Sequence, residues 1–292
     1  MNTPLLSVCI RSYNQERFIA DAIDSVLRQE TTFDFEIIIS DDCSSDATIS
    51  IIEDYVKRYP EKVRFIKGTT NVGGPNNLKR VIQASSAKYI TCLDGDDYYL
   101  STNKLQKQVD FLESHAEYSA CFHNTMDVNE NGEKLGIFNP LDFHQVHDAA
   151  EFIREKWFVP IHSAVLRREL IEFPNWYDTV MNDDYVIHLS VVKHAPYYYM
   201  PDVMVAYRHH SNEISVAYKD IELINTQLMT ILINMKGSYP STYEKVFDDR
   251  ITEYQNEINF YQREKRQPWR KYIRLKTYKK LLKRILIYFN TI

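Results

Sequence analysis

The chain has 292 residues, of which 44% are hydrophobic and 26% are charged, as in ordinary soluble globular proteins. This length allows one large core, or one core with a smaller appendage. No apolar run approaches the ~20 residues that a transmembrane helix needs, and the first residues lack the pattern of a signal peptide. The four cysteines lie far apart, which argues against a disulfide framework or a zinc site. This pattern is typical of a protein in the reducing cytosol.

Charge is distributed unevenly along the chain. The net charge is −5, from 35 basic and 40 acidic side chains. Residues 265–292 contain ten Lys or Arg and no Asp or Glu, so the other 264 residues carry 25 basic and 40 acidic side chains. An acidic body with a basic tail indicates two surfaces with different partners.

Strand and helix patterns alternate through the first 114 residues. The predicted strands are Leu5–Arg11, Phe35–Ser40, Val63–Lys67 and Tyr89–Leu93. The predicted helices are Glu16–Gln29, 47–59, 75–86 and Ser101–Ser114. Such alternation predicts a parallel sheet with helices on both faces, and ligands bind such sheets at the carboxyl ends of the strands.

The second half is less regular and combines short strands with helices. Its predicted elements are a strand at Tyr118–His123, a turn at Asn129–Gly132, a helix near Asp148–Trp157, a strand at Ser163–Arg167, a helix at about Asp183–His194 and an extended stretch at Tyr197–Arg208. From Asp220 to Glu264 the pattern is helical, with an interruption near Gly237–Pro240.

Polar clusters follow each of the four predicted strands. They are Arg11-Ser12-Tyr13-Asn14, Asp41-Asp42, Asn71 and Asp94-Gly95-Asp96-Asp97. Carboxylates two residues apart at a strand end can share Mg²⁺ or Mn²⁺, which usually bridges to substrate phosphates, and Gly95 allows a close backbone approach. Asp94–Asp97 could instead form a turn with aspartates that cap the next helix.

The Asp41-Asp42 pair precedes Cys43-Ser44-Ser45-Asp46 and the second predicted helix. Ser45 or Asp46 is expected to cap that helix. Capping does not account for two adjacent carboxylates ahead of it. We therefore expect Asp41 and Asp42 to accept hydrogen bonds from a nucleobase or a ribose.

Four segments in this order resemble the motifs of family 2 glycosyltransferases: SVCIRSYNQERFIADAIDSVLRQ, EIIISDDCSSDAT, NVGG and YITCLDGDDYY. The resemblance covers roughly residues 5–215 and implies the glycosyltransferase A fold. That fold has a Rossmann-like, mixed and mostly parallel sheet flanked by helices. Here it would carry a helical C-terminal extension. The implied domains are 1–218, with nucleotide-sugar-binding (1–115) and acceptor-binding (116–218) halves, and 219–292.

The resemblance also implies residue roles. Tyr13 and Asp42 would contact the base, Asp94 the ribose and metal, and Asp96 would be the principal metal ligand. The expected nucleotide-sugar-binding residues are Arg11, Tyr13, Asn14, Glu16, Asp41, Asp42, Asn71, Lys79, Asp94, Gly95, Asp96 and His210. The chain departs from the common pattern at Arg11, where proline is frequent, and at Leu78-Lys79, where an Arg-Asn pair is frequent.

The family's second half usually ends in a Glu-Asp pair that opens a helix, and its aspartate is the catalytic base. Asp183-Asp184 matches this pair, so Asp184 would be the base with Asp183 in support; acidic residues also simply favour a helix N-terminus. The segment YRHHSNEIS matches His210 to a histidine near the diphosphate and metal. A surface position for His210 is the plain alternative. His162, just before a predicted strand, is expected to face the acceptor.

The function implied is metal-assisted, inverting transfer of a sugar from a nucleotide-sugar to a hydroxyl of a glycan or a lipid-linked acceptor, as in surface polysaccharide synthesis. Mn²⁺ or Mg²⁺ is the expected cofactor. UDP-sugar is the first expectation for the donor, with dTDP or GDP as alternatives. A Mg²⁺-dependent phosphotransferase and a non-catalytic nucleotide-sugar-binding protein are the rival interpretations.

The basic tail follows Pro268, which cannot extend a preceding helix. Its apolar residues gather loosely on one side of a helix with Lys and Arg across the other, as in helices that lie on anionic membranes. We expect a cytoplasmic protein, peripheral at the inner face of the membrane. Packing of the tail on the acidic body is the alternative, and no nucleic-acid partner is expected because rim carboxylates repel phosphates.

Overall fold

The computed structural model describes residues 3–140, 142–155, 158–210 and 220–266. The strands within these ranges are β1 (Leu6–Ser12), β2 (Phe35–Asp41), β3 (Val63–Lys67), β4 (Tyr89–Asp94), β5 (Tyr98–Tyr99), β6 (Ala120–Asn129), β7 (Lys134–Ile137), β8 (Val146–His147), β9 (Val165–Arg167) and β10 (Tyr197–His209). The α-helices there are α1 (Ile19–Leu27), α2 (Thr48–Arg58), α3 (Gly74–Gln83), α4 (Lys104–Ser114), α5 (Ala149–Arg154), α6 (Asp183–Val192), α7 (Ile221–Lys236) and α8 (Glu244–Arg266).

The strands form a mixed sheet in the order β3-β2-β1-β4-β9-β6-β10-β5, with β7 paired to β6 and β8 paired to β10. β1 runs parallel to β2 and β4, and β2 runs parallel to β3. β9 is antiparallel to β4 and β6, and β10 is antiparallel to β5 and β8. The expected α/β class with a mostly parallel first half is therefore confirmed.

The parallel strands are apolar because helices cover both faces of this part of the sheet. Every residue of β2 is buried, and so are all residues of β1 except Arg11. Helix α1 buries Ile19, Ile23 and Val26 in the core, at the helical spacing read from the sequence. This packing holds the ends of β1, β2 and β4 at one edge.

Several elements are shorter than their patterns predict. The first helix starts at Ile19 rather than Glu16, because the amides of Phe18 and Ile19 both bond to the carbonyl of Gln15 in a preceding turn. The helix expected near 148–157 spans Ala149–Arg154, and Asp148 caps it by accepting from the amide of Glu151 at 2.9 Å. β5, β7 and β8 have two to four residues each, too few for a periodic signal.

The chain divides into two compact units, residues 1–127 with 137–208, and residues 128–136 with 209–292. In the second unit α7 packs on α8, with hydrogen bonds from Asn225 to Glu257 and from Gln262 to Glu222 at 2.8 and 3.0 Å. The expected helical pattern after Asp220, with its interruption, is confirmed as far as Arg266. Residues 267–292 lie outside the described ranges, so the tail helix stays a prediction. None of the described helices is long and apolar enough to cross a membrane.

Candidate functional site

Three of the four polar clusters predicted from the sequence meet at the ends of adjacent parallel strands. β1 places Arg11 beside Asp94 of β4 and Ser12 beside Asp41 of β2. The first two clusters also join through their loops, because the carbonyl of Ser12 accepts from the amide of Asp42 at 2.9 Å. The expected convergence at this edge is therefore confirmed.

Arg11 connects the end of β4 to the start of α6. Its Nε and Nη2 donate to the two carboxylate oxygens of Asp94, the latter at 3.3 Å. Its Nη1 donates to Oδ2 of Asp183 at 2.7 Å, 172 residues away in the chain. The guanidinium is four-fifths buried, and Asp183 is almost wholly buried. One cation thus holds the strand-end aspartate and the Asp183-Asp184 pair together.

Burial and charge shift the pKa values of this group in different directions. Burial acts to raise the pKa of Asp94, but the charge and hydrogen bonds of Arg11 outweigh it and the pKa is lowered. Burial raises the pKa of Asp183, although Arg11 opposes it. Burial, followed by the charge of Asp183, raises the pKa of Asp184 to about 7. A carboxylate with a pKa near 7 is well matched to proton transfer at neutral pH.

Gly95 lies in the turn between Asp94 and Asp96, and its amide donates to the carbonyl of Arg11 at 3.0 Å. A Cβ at this position would collide with Oε1 of Gln15 and lie 2.8 Å from Cδ1 of Ile19. The packing of the protein itself therefore favours glycine here, since a larger residue would displace the side chains of Gln15 and Ile19. Contact of Gly95 with a ligand stays a prediction.

Asp97, the last residue of the Asp94–Asp97 cluster, is fully buried and has a structural role. Its Oδ1 accepts from the amide of Arg208 at 2.8 Å, and its Oδ2 lies 2.9 Å from Nδ1 of His162. Burial raises the pKa of Asp97 to about 7, although the His162 charge and hydrogen bond lower it. His162 is also buried, with Nε2 3.5 Å from Oγ1 of Thr125. Its expected contact with an acceptor stays a prediction.

Arg208 is a site residue that sequence reasoning missed. Its Nε donates to the carbonyl of Asp96 at 2.9 Å, and its Nη2 donates to Asp21 at 2.9 Å. The guanidinium also lies 4.7 and 4.9 Å from the ring centroids of Phe18 and Tyr98. Arg208 lies in the segment YRHHSNEIS, from which the sequence analysis took only His210. The Tyr207-Arg208 dipeptide in that segment was the signal that could have identified it.

Asp41 and Asp42 organise the loops around the proposed base-binding region. Asp41 has no exposed surface and accepts from the Ser12 hydroxyl at 3.0 Å and from the Ser44 amide at 2.8 Å. Asp42 accepts from the amides of Val72 and Gly73, both at 2.9 Å. Asp42 therefore fixes the loop after β3, which brings the Asn71 cluster to the same edge. Contact of either aspartate with a nucleobase stays a prediction.

The loop after β1 is fastened to the loop after β2. Oδ1 of Asn14 accepts from the amide of Ser45, and Oε2 of Glu16 accepts from the amide of Ala47, both at 2.8 Å. The N-cap residue of α2 is Ala47 and it forms no side-chain cap, so the expected capping by Ser45 or Asp46 is wrong; Asp46, one residue earlier, accepts from the amide of Thr48 at 3.0 Å. Tyr13 differs from these residues because 49% of it is exposed. An exposed ring offers a flat surface on which a base could stack.

Helix α3 contributes Arg80 rather than Lys79 to this edge. Arg80 donates to Oγ of Ser40 at 2.7 Å and to the carbonyl of Asp41 at 2.8 Å. Nζ of Lys79 lies 5.8 Å from the ring centroid of Phe173, and its expected contact with a nucleotide-sugar stays a prediction. Asn77 and Arg80 are three residues apart on one helical face, and that spacing was the signal that could have identified Arg80.

The remaining predicted residues are Asn71 and His210. Oδ1 of Asn71 accepts from the amide of Gly73 at 3.2 Å, and the residue is exposed. His210 is half-buried, follows β10 and belongs to the second unit, so its metal and diphosphate roles stay predictions.

The carboxylates at the end of β4 fit a hard divalent cation, which binds oxygen ligands. Both oxygens of Asp94 accept hydrogen bonds from Arg11. Asp96 is half-buried and follows the strand end directly. The parts of Asp96 as principal ligand and of Asp94 as second ligand stay predictions.

Comparison with known proteins agrees with this arrangement. Residues 7–173 match the model of glycosyl transferase family 2. An uncharacterized Mycobacterium tuberculosis protein is 36% identical over 219 residues, which are 74% of this chain and 62% of that protein. The putative teichuronic acid biosynthesis glycosyltransferase TuaG of Bacillus subtilis is 35% identical over 109 residues, 37% of this chain and 42% of TuaG.

Two solved structures have a similar fold. Staphylococcus aureus TarS, residues 1–349 with UDP-GlcNAc, aligns with a TM-score of 0.67 and 21% identity over 86% of this chain and 71% of that one. The mannosyltransferase PcManGT of Pyrobaculum calidifontis, with GDP-Man and Mn²⁺, aligns with a TM-score of 0.61 and 16% identity over 86% and 70%. The fold is that of the glycosyltransferase A class, and the chain belongs to glycosyl transferase family 2.

Proposed function

We propose that this protein is an inverting glycosyltransferase, which moves a sugar from a nucleotide-sugar to a hydroxyl of a glycan or a lipid-linked acceptor. The observation that carries the proposal is the Arg11 bridge. It joins Asp94, at the strand end where a donor's metal would bind, to Asp183, whose neighbour Asp184 has a pKa of about 7. Because one cation holds both the donor site and the base, the two are positioned for transfer of a sugar from a donor to an acceptor.

The donor is assigned to the edge formed by β1, β2 and β4. Tyr13 would stack on the base, with Asp42 and Asp41 beside it and Asn71 on the adjoining loop. Asp96 and Asp94 would hold Mn²⁺ or Mg²⁺, which would neutralise the diphosphate as it leaves. Binding of UDP-GlcNAc by TarS and of GDP-Man with Mn²⁺ by PcManGT supports this class of donor.

Asp184 is assigned as the general base. It would take the proton of the acceptor hydroxyl while that oxygen forms a bond to the anomeric carbon. The bond from this carbon to the diphosphate oxygen breaks in the same displacement, and the nucleoside diphosphate leaves with the electron pair. Attack opposite to the leaving group inverts the anomeric centre. General-base assistance of this kind is worth about 10²–10⁴-fold in rate.

The acceptor and the location of the reaction are proposed from the relatives and the tail. TuaG supports a role in surface polysaccharide synthesis. Residues 1–218 would be the catalytic domain, and the extension 219–292 would bring it to a lipid-linked acceptor at the cytoplasmic face of the membrane. Co-sedimentation with anionic liposomes tests this, by comparison of the full chain with a chain that ends at Gln267. Equal sedimentation of the two chains would contradict the membrane role.

The central experiment compares Asp184→Asn with Asp178→Asn, an exposed aspartate in the turn before α6. Nucleoside diphosphate release from UDP-, dTDP- and GDP-sugars with Mn²⁺ identifies the donor, and thermal shift with the corresponding diphosphate measures binding. We expect Asp184→Asn to bind the donor and lose at least about 10²-fold in turnover, whereas Asp178→Asn keeps both.

A third variant, Asp96→Ala, tests the metal role, since it should lose Mn²⁺-dependent binding of the diphosphate. Binding without turnover in the unmodified protein would instead indicate a nucleotide-sugar-binding protein. Phosphate transfer without sugar transfer would indicate a phosphotransferase. Native turnover by Asp184→Asn would place the base elsewhere.

A further inference from the structure

A second cluster of metal-binding side chains lies in the first unit and includes no residue assigned to sugar transfer. Among the described residues, His144, His147 and Glu151 are the one group of three such side chains whose ligand atoms all lie within 4.8 Å of one another. His144 precedes β8, His147 is its last residue, and Glu151 lies in α5. Their spacing of three and four residues brings the three side chains together locally.

The hydrogen bonds of His147 determine which of its nitrogens faces the cluster. Nε2 lies 2.8 Å from the carbonyl oxygen of His144. A carbonyl only accepts, so Nε2 carries a proton. Nδ1 lies 3.1 Å from Oε1 of Glu151 but forms no hydrogen bond with it. Within the described ranges no group donates a hydrogen bond to Nδ1, and His147 is fully buried. Nδ1 and the carboxylate of Glu151 can share a cation, either a proton or a metal ion.

His144 contacts the other carboxylate oxygen of Glu151. Its Nε2 lies 3.0 Å from Oε2 of Glu151. One carboxylate is therefore placed between two imidazoles. Ligands about 2.0–2.1 Å from a tetrahedral zinc ion lie about 3.3 Å from one another, close to the two nitrogen–oxygen distances seen here. The geometry points to a site for a transition-metal ion such as Zn²⁺, with His144, His147 and Glu151 as protein ligands.

The donor set distinguishes this site from the one proposed at β4. Imidazole nitrogens select Zn²⁺, Co²⁺ or Ni²⁺ over Mg²⁺, which prefers oxygen. His147 is held rigidly, because its ring stacks on Phe143 at 4.6 Å and its backbone pairs with Tyr197 of β10. The side chain of His144 is 59% exposed, so the cluster is open to solvent on that side. A fourth, exchangeable ligand would be water.

A metal here would brace α5 against the sheet. Helix α5 packs on α6, and the carbonyl of Phe152 accepts from the Tyr185 hydroxyl at 2.8 Å. Tyr185 follows Asp184 directly in α6. A metal bound at α5 would therefore stabilise the contact of α5 with the start of α6. The inference does not depend on the proposed sugar transfer, because neither its ligands nor its readouts involve that reaction.

The test uses the tag-free full chain in excess Mg²⁺, which occupies oxygen-rich sites. Zn²⁺ binding is measured by equilibrium dialysis with metal analysis, the change in Tm by calorimetry, and coordination by the visible spectrum of the Co²⁺ form. His144→Ala and Glu151→Gln remove one ligand each while His147 stays in the core. His194→Ala is the matched control, because His194 is exposed and also lies near a glutamate, Glu172, at 3.8 Å.

We expect about one Zn²⁺ per chain, a higher Tm with Zn²⁺, and the intense visible bands of tetrahedral Co²⁺. Both ligand variants should bind Zn²⁺ at least tenfold more weakly and lose the Tm rise, whereas His194→Ala should match the unmodified chain. Failure of the unmodified chain to bind Zn²⁺ would show that protons alone link the three side chains and would overturn the proposal. Equal Zn²⁺ affinity in the unmodified chain and both ligand variants would also overturn it.

Discussion

Lys104, the first residue of α4, is fully buried and provides a quantitative test of the packing beneath the Asp94–Asp97 turn. Its Nζ lies 3.3 Å from Oγ1 of Thr91 and 4.5 Å from the ring centroid of Tyr99. Burial lowers the pKa of Lys104 from 10.5 to about 7, although the thiols of Cys121 and Cys92 act to raise it. Replacement by methionine, which has a similar length and no charge, removes this titration.

The magnitude follows from the two pKa values. A lysine with a pKa of 10.5 in the unfolded chain and about 7 in the folded chain binds its proton more tightly when unfolded. Burial of Lys104 therefore costs about 5 kcal/mol below pH 7, at about 1.4 kcal/mol per pKa unit. The cost decreases as the pH rises from 7 and disappears above 10.5. Between pH 6 and pH 8 this cost should fall by about 1.4 kcal/mol, and the comparison with Lys104→Met separates it from the opposite contributions of Asp97 and Asp184, whose pKa values are raised to about 7.

The assay is urea denaturation of the unmodified chain, Lys104→Met and Lys107→Met at pH 6, 7 and 8. Lys107→Met is the matched control, because Lys107 lies in the same helix and pairs with Asp202 at the surface. We expect Lys104→Met to be more stable than the unmodified chain by about 3–5 kcal/mol at pH 6, with the difference smaller by about 1.4 kcal/mol at pH 8. A difference that does not change with pH, or a less stable Lys104→Met at pH 6, would refute this reasoning.

Three further predictions concern the site. Arg11→Met should lower the free energy of unfolding by about 3–5 kcal/mol, since it leaves the buried carboxylate of Asp183 and the partly buried carboxylate of Asp94 without their cation. In urea denaturation, the control Lys67→Met, which breaks an exposed pair, should cost below about 1 kcal/mol; equal losses in the two variants would contradict the stabilising role of Arg11. The turnover rate should rise with pH through about 7, because Asp184 must lose its proton to act as base; a flat profile between pH 5.5 and 8.5 would argue against Asp184. Gly95→Ala should lower the free energy of unfolding by about 1–3 kcal/mol through overcrowding. The control Gly136→Ala, which has open space at its Cβ, should change it little. Similar Tm values for the two variants would contradict the crowding at Gly95.

The mostly parallel half of the sheet was predictable from the sequence because its signals are local. Runs such as Phe35–Ser40 are apolar throughout, as strands covered on both faces must be. The amphipathic stretch after each strand predicts a helix, and alternation of the two predicts parallel order. Since parallel strands end at one edge, the sequence alone predicts that the clusters at Arg11, Asp41 and Asp94 lie close together.

The partners of those side chains depended on the tertiary structure. Asp94 and Asp97 have different surroundings because the chain turns between them, where the amide of Asp97 donates to the carbonyl of Asp94 at 3.0 Å. Asp94 faces Arg11, whereas Asp97 turns inward to Arg208 and His162. No local pattern reports that Arg11 reaches Asp183 across 172 positions, or that Arg80 rather than Lys79 reaches Asp41.

The sequence by itself determined the α/β class, the family and the edge at which the site lies, because these follow from periodicity and from motifs within short segments. Only the tertiary structure decided which carboxylates are paired, which are buried and which have a raised pKa. Those properties depend on burial and on charges that distant segments supply. The same holds for His144, His147 and Glu151, whose spacing is visible in the sequence but whose contacts form only in the folded chain.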